Sequence, residues 1–231
     1  MATTITHIEF EPAKPVKNIS SFRGAVIANY AGDNNLFHNH EGENLVYAYP
    51  QIQYKSVNGH LAITGIDEGA EAIDSIWKIG ETFDLVIDRK TVGMTVCSKS
   101  SNIYIPDMTD DVKNYYTIHN WLPFNQVNYQ IYKSLDTLQE RTEMLDRLLR
   151  GNMLSLYKGL GYWIEDEICA NIVEVLKTST VKYKKVELIC FDVKIKTNIT
   201  LPQLCGIGKG VSKGYGSITA NSQNRQDPRN L

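Results

Sequence analysis

The chain has 231 residues, enough for one large domain or for two domains of about 100 residues each. Its 24 Lys and Arg residues nearly balance its 26 Asp and Glu residues, which excludes a polycation that coats nucleic acid indiscriminately, so any anion site must be local. No apolar run reaches the roughly 18 residues that a membrane helix needs, and the first residues lack the apolar stretch of a secretory signal. We therefore expect a cytoplasmic protein with no membrane partner.

Residues 1–98 predict one domain with the order strand, helix, strand, strand, helix, strand. The first strand covers residues 5–10, and Ser20 or Ser21 caps an amphipathic helix that reaches Tyr30. The remaining elements are strands at 45–54 and 61–66 joined through the turn at Asn58-Gly59, a helix at 67–79 capped by Asp67, and a strand at 83–97. This order is the split β-α-β unit of a ferredoxin-like fold, in which helices cover one face of an antiparallel sheet.

Residues 99–114 are polar and acidic and predict a linker, after which a second folded segment covers residues 115–220. A long helix over residues 128–149 shows leucines and isoleucines at helical spacing, and Gly151 is expected to end it. The other predicted elements are a strand at 115–121, a strand or helix at 168–176, a strand at 186–199, a short last strand from Tyr215, and a disordered tail at 221–231.

The four cysteines show no C-x-x-C spacing and lie in mostly apolar runs. We interpret Cys97, Cys169, Cys190 and Cys205 as reduced core residues rather than as zinc ligands or disulfide partners. No cofactor is expected.

The most informative segment is the glycine loop, residues 206–216, which carries five glycines and two lysines. Its spacing fits neither the P-loop, because no glycine stands directly before a Lys-Ser pair, nor the dinucleotide fingerprint, because its last position is Val211. Two interpretations remain: a loop shaped around phosphate, or a flexible hairpin turn with solvated lysines. The first would use these residues, with two lysines from the basic final third: Gly206, Gly208, Lys209, Gly210, Ser212, Lys213, Gly214, Gly216, Lys184 and Lys185.

Two histidines stand in the polar connection after the first helix. His38 and His40 have Asn39 and Glu41 beside them as orienting partners, and an imidazole near neutral pKa suits general acid or base chemistry. The alternative is an ordinary loop in which both rings cap backbone groups. His7, His60 and His119 stand in strand or turn contexts and are interpreted as structural.

These features together resemble the Cas-six type of CRISPR-associated endoribonucleases, which cut precursor CRISPR RNA within its repeats. The resemblance is carried by the histidines after the first helix, by the segment from Gly151-Asn152-Met153 to Trp163, and above all by the glycine loop. It implies an α+β fold of two tandem ferredoxin-like domains, each an antiparallel sheet with helices on one face.

The resemblance also implies a metal-independent mechanism, in which a ribose 2′-OH attacks the adjacent phosphodiester and leaves a 2′,3′-cyclic phosphate and a 5′-hydroxyl. The general acid or base falls on His38 or His40, which the spacing does not separate. Relatives often add a tyrosine in the first helix and a lysine soon after the histidine; Tyr30 only ends that helix here, and the first lysine after His40 is Lys55. Lys55, Lys209 and Lys213 are the candidates for stabilising the phosphate.

Three functions stay open at this point. The first is the endoribonuclease, acting on precursor CRISPR repeat RNA as a monomer or homodimer, with a CRISPR effector complex as a further partner. The second is a non-catalytic RNA-binding subunit of the same fold superfamily, which needs no histidine. The third is a ferredoxin-like protein that binds a small acidic ligand or another protein.

Overall fold

A computed structural model describes residues 2–221 except 33, 38–39, 42–43, 46–47, 58 and 184–185, and gives the backbone alone at 40–41, 44–45 and 57. The chain divides into two compact units. The first comprises Met1–Ile105 together with Ser212–Gly214, and the second comprises Pro106–Val211 together with Tyr215–Leu231.

The first unit contains β1 (Thr3–Pro12), α1 (Ile19–Val26), a π-helical turn (Ile27–Ala31), β2 (His40–Glu41), β3 (Asn44–Leu45), β4 (Ile52–Val57), β5 (His60–Ile66), α2 (Glu68–Asp74), β6 (Thr82–Ile87) and β7 (Lys90–Tyr104). Its main sheet has the order β4-β5-β1-β7-β6, and all the paired strands are antiparallel. The first strand therefore lies between the third and the last strands of a split β-α-β unit, as a ferredoxin-like fold requires.

Alternation along the strands explains which face of this sheet is apolar. Ile8 and Phe10 of β1 pair with Ile63 and Leu61 of β5, and all four side chains are buried. Helix α1 contacts β4 and β6, and α2 contacts β5 and β1, so both helices cover this one face. The core between the sheet and the helices contains Trp77 and a group of edge-to-face aromatic rings around it.

Helix α1 begins two or three residues earlier than expected. Asn18, and neither Ser20 nor Ser21, is the N-cap, and its side-chain oxygen accepts hydrogen bonds from the N–H groups of both serines. The α-helix ends at Val26, and the chain continues as the π-helical turn, so Tyr30 lies outside the α-helix.

Helix α2 packs on the sheet through backbone. A Cβ atom on Gly65 of β5 would overlap the Gly69 carbonyl of α2, so these two glycines allow close approach of helix and strand. Asp67 precedes α2 as predicted, but its carboxylate accepts from the Thr4 N–H at 2.9 Å and does not cap the helix. The helix ends at Asp74, five residues before its predicted end at residue 79.

The predicted strand at 83–97 is instead a hairpin of two strands. Asp88 and Arg89 form its turn, both with left-handed φ angles of 49° and 64°. That conformation suits the right-handed twist of a hairpin, and it usually calls for Gly or Asn, which the sequence lacks here. Strand β7 then continues to Tyr104, through the first part of the segment predicted as a linker.

The second unit contains β8 (Asn114–Trp121), α3 (Gln126–Ser134), α4 (Leu138–Gly159), β9 (Ala170–Tyr183), β10 (Val186–Thr197), a 3-10 turn (Val211–Lys213) of which Val211 belongs to this unit, and β11 (Ser217–Ala220). Its sheet has the order β11-β8-β10-β9 and is antiparallel throughout. This is again the ferredoxin-like order, with the glycine loop between β10 and β11 at the place in the chain where the first unit has α2. None of the helices in the described part of the chain combines the length and apolar character needed to cross a membrane.

The predicted long helix at 128–149 is two helices. Thr137 and Glu140 form a capping box, in which the Thr137 hydroxyl accepts from the Glu140 N–H and Glu140 accepts from the Thr137 N–H, so a new helix starts there. Gly151 does not end the helix: α4 runs to Gly159, and a Cβ on Gly151 would meet open space. The buried face of α4, including Leu149 and Met153, covers the apolar side of its sheet.

The cysteines divide into two pairs. Cys190 and Cys205 are buried as predicted, whereas Cys97 and Cys169 are exposed, and all four are free thiols. The expectation of four core cysteines is therefore wrong for the exposed pair.

Candidate functional site

The glycine loop is closed by backbone hydrogen bonds between its two ends. The Ile207 N–H donates to the Gly216 carbonyl at 3.0 Å, and the Ile218 N–H donates to the Cys205 carbonyl at 3.0 Å. Gly206 and Ser217 form an isolated antiparallel bridge between these bonds. The base of the loop is thus a short ladder that continues from β11.

The loop is also attached to the end of β8. The Lys209 N–H donates to the Leu122 carbonyl at 3.1 Å, and the Gly216 N–H donates to the Asn120 carbonyl at 3.0 Å. The side chains of Ile207 and Val211 are buried. Internal hydrogen bonds and two apolar anchors therefore attach this loop to β8 and to β11.

Two glycines are required by this path. Gly216 has a φ of +69°, and a Cβ there would overlap the Ile207 carbonyl oxygen. Gly208 has a φ of +85°, and a Cβ there would lie 2.9 Å from both the Leu122 carbonyl oxygen and Trp121 Nε1. Any other residue would therefore add strain and displace backbone.

A hydrogen bond next to Gly208 involves Asn152, which lies in the distant Gly151-Asn152-Met153 motif. The Trp121 Nε1–H donates to Asn152 Oδ1 at 3.0 Å, which joins the end of β8 to α4. Trp121 is fully buried, so its indole N–H needs this partner. Sequence analysis noted Asn152 only as part of a motif and missed that it supports the loop.

The loop cations differ in exposure. Lys209 is exposed, whereas Lys213 is half-buried, as is the neighbouring Ser212. Both of these half-buried residues belong to the first compact unit. Lys184 and Lys185, predicted to bind RNA, lie outside the described residues. Lys209 is therefore the loop lysine most open to an anion.

An aromatic pair flanks Gly210 and was not anticipated from the sequence. The rings of Tyr183 and Tyr215 meet edge to face with centroids 5.7 Å apart, and a Cβ on Gly210 would lie 2.9 Å from both rings. Burial raises the pKa of both phenols, so both stay protonated at neutral pH and can donate hydrogen bonds.

The structure describes the candidate histidines only in part. His38 lies outside the described residues, and His40 is seen as backbone in β2, where it pairs with Leu45 of β3. Before them in the chain, the Asn34 side chain accepts from the Leu36 N–H at 3.0 Å, and Phe37 is buried in the core.

Tyr30 and Lys55, the other predicted catalytic residues, have clear surroundings in the first unit. The Tyr30 ring packs on Trp77 and Phe83 with centroids 4.9 and 5.8 Å away, and burial raises its pKa. Lys55 is fully buried on the face of the sheet opposite the helices, in the same part of the sheet as His7. Neither arrangement shows a role beside His40, whose side chain is not described, so both roles stay predictions.

His7 is half-buried, and its imidazole is neutral at pH 7. Its Nδ1 lies 3.1 Å from Thr64 Oγ1, and burial, with a smaller contribution from the charge of Lys55, lowers its pKa to about 4. This agrees with the structural role predicted for it. His119 is similar in having a hydroxyl partner, since its Nε2 lies 2.9 Å from Thr219 Oγ1.

The pKa of His7 predicts a loss of stability in mild acid. An unfolded histidine takes up a proton near its ordinary pKa of 6.5, while folded His7 does so only near 4, so the unfolded state is favoured as pH falls through this window. Between about pH 7 and about pH 4.5 the contribution lost is about 2 kcal/mol. Urea unfolding at the two pH values should show a smaller loss for His7→Gln than for the wild type, while His60→Gln should match the wild type. Equal losses in all three proteins would contradict the assignment.

Within the described part of the chain, no three His, Cys, Asp or Glu side chains are placed to hold a metal ion together. The exposed Lys209 side chain and the half-buried rings of Tyr183 and Tyr215 lie together with the close backbone of the glycine loop in this part of the second unit. Cations, aromatic rings and close backbone are what proteins use to bind the phosphates and bases of RNA.

Comparison with known proteins gives matches over both units. The family model for the Cas6b N-terminal domain matches residues 1–102, and that for the Cas6b C-terminal domain matches residues 107–221. A crystal structure of Cas6b is 30% identical, with a TM-score of 0.84, over 96% of this chain and 100% of that one. A crystal structure of the CRISPR RNA processing endoribonuclease Cas6b is 27% identical, with a TM-score of 0.70, over the same shares.

A curated relative matches a shorter stretch. An uncharacterized protein of Methanocaldococcus jannaschii is 36% identical over 111 residues, which is 48% of this chain and 74% of that protein. The two domain models and the full-length structural match agree with each other and with the ferredoxin-like order of both sheets. The chain belongs to the Cas6b family.

Proposed function

We propose that this chain is a metal-independent endoribonuclease that cleaves precursor CRISPR RNA within its repeats. The observation that carries the proposal is the likeness, along 96% of the chain, to a Cas6b described as a CRISPR RNA processing endoribonuclease. The ordered glycine loop, with exposed Lys209, supports it by offering an anion site in the second unit.

The proposed reaction is an in-line transfer at phosphorus. A base removes the proton of a ribose 2′-OH, the 2′-oxygen bonds to the adjacent phosphorus, and the bond from phosphorus to the 5′-oxygen breaks. An acid gives a proton to that 5′-oxygen. The products are a 2′,3′-cyclic phosphate and a 5′-hydroxyl, and no electrons or further reactants are needed.

His38 or His40 is proposed as the general acid or base of this reaction. Imidazole accepts and donates protons near neutral pH, and the nucleophile is already part of the substrate. The two residues are separated by Asn39 alone, so either assignment of roles fits the sequence.

The glycine loop is proposed to hold the RNA rather than to cut it. Lys209, Ser212, Lys213 and the backbone at the loop glycines would contact phosphates, and Lys184 and Lys185, which precede β10 in the sequence, would add charge. Lys209 is the best candidate for a phosphate contact because it is exposed, whereas Lys55 is fully buried.

The test is cleavage of a CRISPR repeat RNA by the purified chain in excess EDTA, alongside the same RNA with a single 2′-deoxy nucleotide at the cleaved position. We expect cutting of the first RNA, with a cyclic phosphate on the upstream fragment by mass spectrometry, and binding without cutting of the second. Cutting that needs a divalent metal, or cutting of the deoxy RNA, would overturn the mechanism. Tight binding of the first RNA without any product would make the chain a non-catalytic RNA-binding subunit.

A further inference from the structure

The aromatic pair beside Gly210 comes from two separate parts of the second unit. Tyr183 is the last residue of β9 and pairs with Val186 of β10, whereas Tyr215 belongs to the glycine loop. Their ring planes cross at 83°, with the centroids 5.7 Å apart. The pair therefore joins the β9–β10 hairpin to the glycine loop.

Gly210 lets the backbone of the loop lie directly against both rings. A Cβ there would lie 2.9 Å from Tyr183 Cε2 and 2.9 Å from Tyr215 Cδ2, and the φ of Gly210 is +77°. Tyr215 is also held through its neighbour Gly216, whose N–H donates to the Asn120 carbonyl at 3.0 Å. These contacts place the rings before a ligand arrives, which lowers the entropy cost of binding one.

The ring pair retains surface for a further aromatic group. Both rings are half-buried, so each keeps part of its surface in contact with solvent. In an edge-to-face pair, a planar ligand that stacks on the ring contributing the edge presents its own edge to the face of the other ring. The ring pair thus suits one planar group, and every nucleic-acid base has the π-face that stacking requires.

A cation stands next to the ring pair in the chain. Lys209 directly precedes Gly210, and its side chain is exposed. Proteins that bind single-stranded RNA combine cations, which contact the phosphates, with aromatic rings, on which the bases stack. A ligand that uses both the lysine and the ring pair must carry a phosphate and a planar base.

We propose that Tyr183 and Tyr215 form a stacking site for one unpaired base of the repeat RNA. The inference rests on the proposed function, because it takes the RNA as the ligand, and it adds the two side chains that hold a base rather than a phosphate. A base inside a double helix is already stacked on its neighbours, so this site selects RNA that is single-stranded at the bound position.

Tyrosines that only support the glycine loop would behave differently. Their removal would disturb the loop and weaken the binding of any RNA, whichever bases that RNA carries. A stacking site depends instead on one particular base, so removing the base and removing the rings abolish the same contact. The two losses then do not add, and a double-mutant cycle between protein and RNA measures this.

The experiment uses a repeat RNA with the 2′-deoxy nucleotide at the cleaved position, and a series of the same RNA in which each nucleotide in turn lacks its base. Affinity is measured for the wild type, for the double variant Tyr183→Leu, Tyr215→Leu and for the double variant Tyr183→Phe, Tyr215→Phe. The control is Tyr162→Leu, because Tyr162 is also a half-buried tyrosine of the second unit. Thermal unfolding gives the folded fraction of each protein.

For the double leucine variant we expect affinity for the intact RNA to fall about 5- to 150-fold, or about 1–3 kcal/mol for one base stacked on a ring. At one position of the RNA, removal of the base should weaken binding by the wild type by a similar factor and leave binding by the double leucine variant unchanged. The double phenylalanine variant keeps both aromatic faces and should bind as the wild type does, as should Tyr162→Leu. The slope of log affinity against log salt should be the same in all four proteins, because a stacked ring releases no counterion.

Three results would overturn the inference while leaving the proposed function intact. The first is wild-type affinity in the double leucine variant, and the second is a loss in that variant that is equal for the intact RNA and for every RNA of the series. The third is an equal loss in the double phenylalanine variant, which would assign the contact to the phenol oxygens. If the double leucine variant does not fold, the single variants Tyr183→Leu and Tyr215→Leu decide, since removal of the base must cost at least one of them less than it costs the wild type. Failure of the wild type to cut an RNA that it binds would contradict the proposed function and leave the stacking site standing.

Discussion

The double substitution His38→Ala, His40→Ala should lower the single-turnover rate of repeat RNA cleavage by about 10²-fold or more, because a positioned acid or base contributes about 10²- to 10⁴-fold. Binding of the 2′-deoxy RNA should stay within a few-fold of the wild type, since the contacts proposed to hold the RNA lie on the glycine loop. The single variants should each lose about 10²-fold or more if one histidine is the acid and the other the base.

His60→Ala is the matched control for this experiment. It removes an imidazole from the same unit, at the start of β5, where the ring lies 3.8 Å from the Cys97 thiol. Its rate should equal that of the wild type. Cleavage by the double variant at the wild-type rate would refute the histidine mechanism. If only one of the single variants loses activity, that histidine is the catalytic one.

Gly216→Ala should be the most damaging single substitution in the glycine loop. The new Cβ would overlap the carbonyl oxygen of Ile207, the residue whose N–H bonds to the Gly216 carbonyl and closes the loop. The alanine would also have to adopt a left-handed φ of +69°. We expect a loss of at least about 2 kcal/mol in the free energy of unfolding. At a temperature where the variant remains folded, we expect RNA affinity to fall at least about 10-fold, because the loop can no longer present its backbone and Lys209 together.

Gly151→Ala supplies the opposite case. Gly151 is exposed inside α4, and its added Cβ would meet open space, so the variant should gain about 0.5–1 kcal/mol in stability and bind RNA as the wild type does. Urea unfolding and titration with the 2′-deoxy RNA measure both variants. If Gly216→Ala kept wild-type affinity, the loop would not be the RNA-holding element.

The fold could be predicted from the sequence where patterns were unambiguous, and the prediction failed where one local signal was overlooked. The strand and helix order of residues 1–98 was enough to indicate a ferredoxin-like sheet, because turn and capping residues separate its apolar segments. Thr137 and Glu140 have the sequence pattern of a capping box, which predicts a helix start. The break between α3 and α4 was nevertheless missed, because apolar residues continue at helical spacing across it. The β6–β7 turn was missed because Asp88 and Arg89 adopt left-handed angles without glycine.

The candidate site was only partly accessible to sequence analysis. Its glycines and lysines could be recognised because five glycines and two lysines are concentrated in eleven residues, and the resemblance to a family assigned them a role in holding RNA. The supports could not be found in this way: Trp121 meets Asn152, and Tyr183 meets Tyr215, only after the sheet has formed.

The glycine loop of the second unit stands at the place in the chain where the first unit has helix α2, and this changes which side chains hold the segment in place. A helix at that place would have to direct every third or fourth side chain at the sheet to remain attached. The loop is instead held by its own backbone and by the buried Ile207 and Val211, so the Lys209 side chain contributes little to its path. A side chain at such a position can be exchanged without disturbing the scaffold, whereas an exchange on the packed face of a helix cannot.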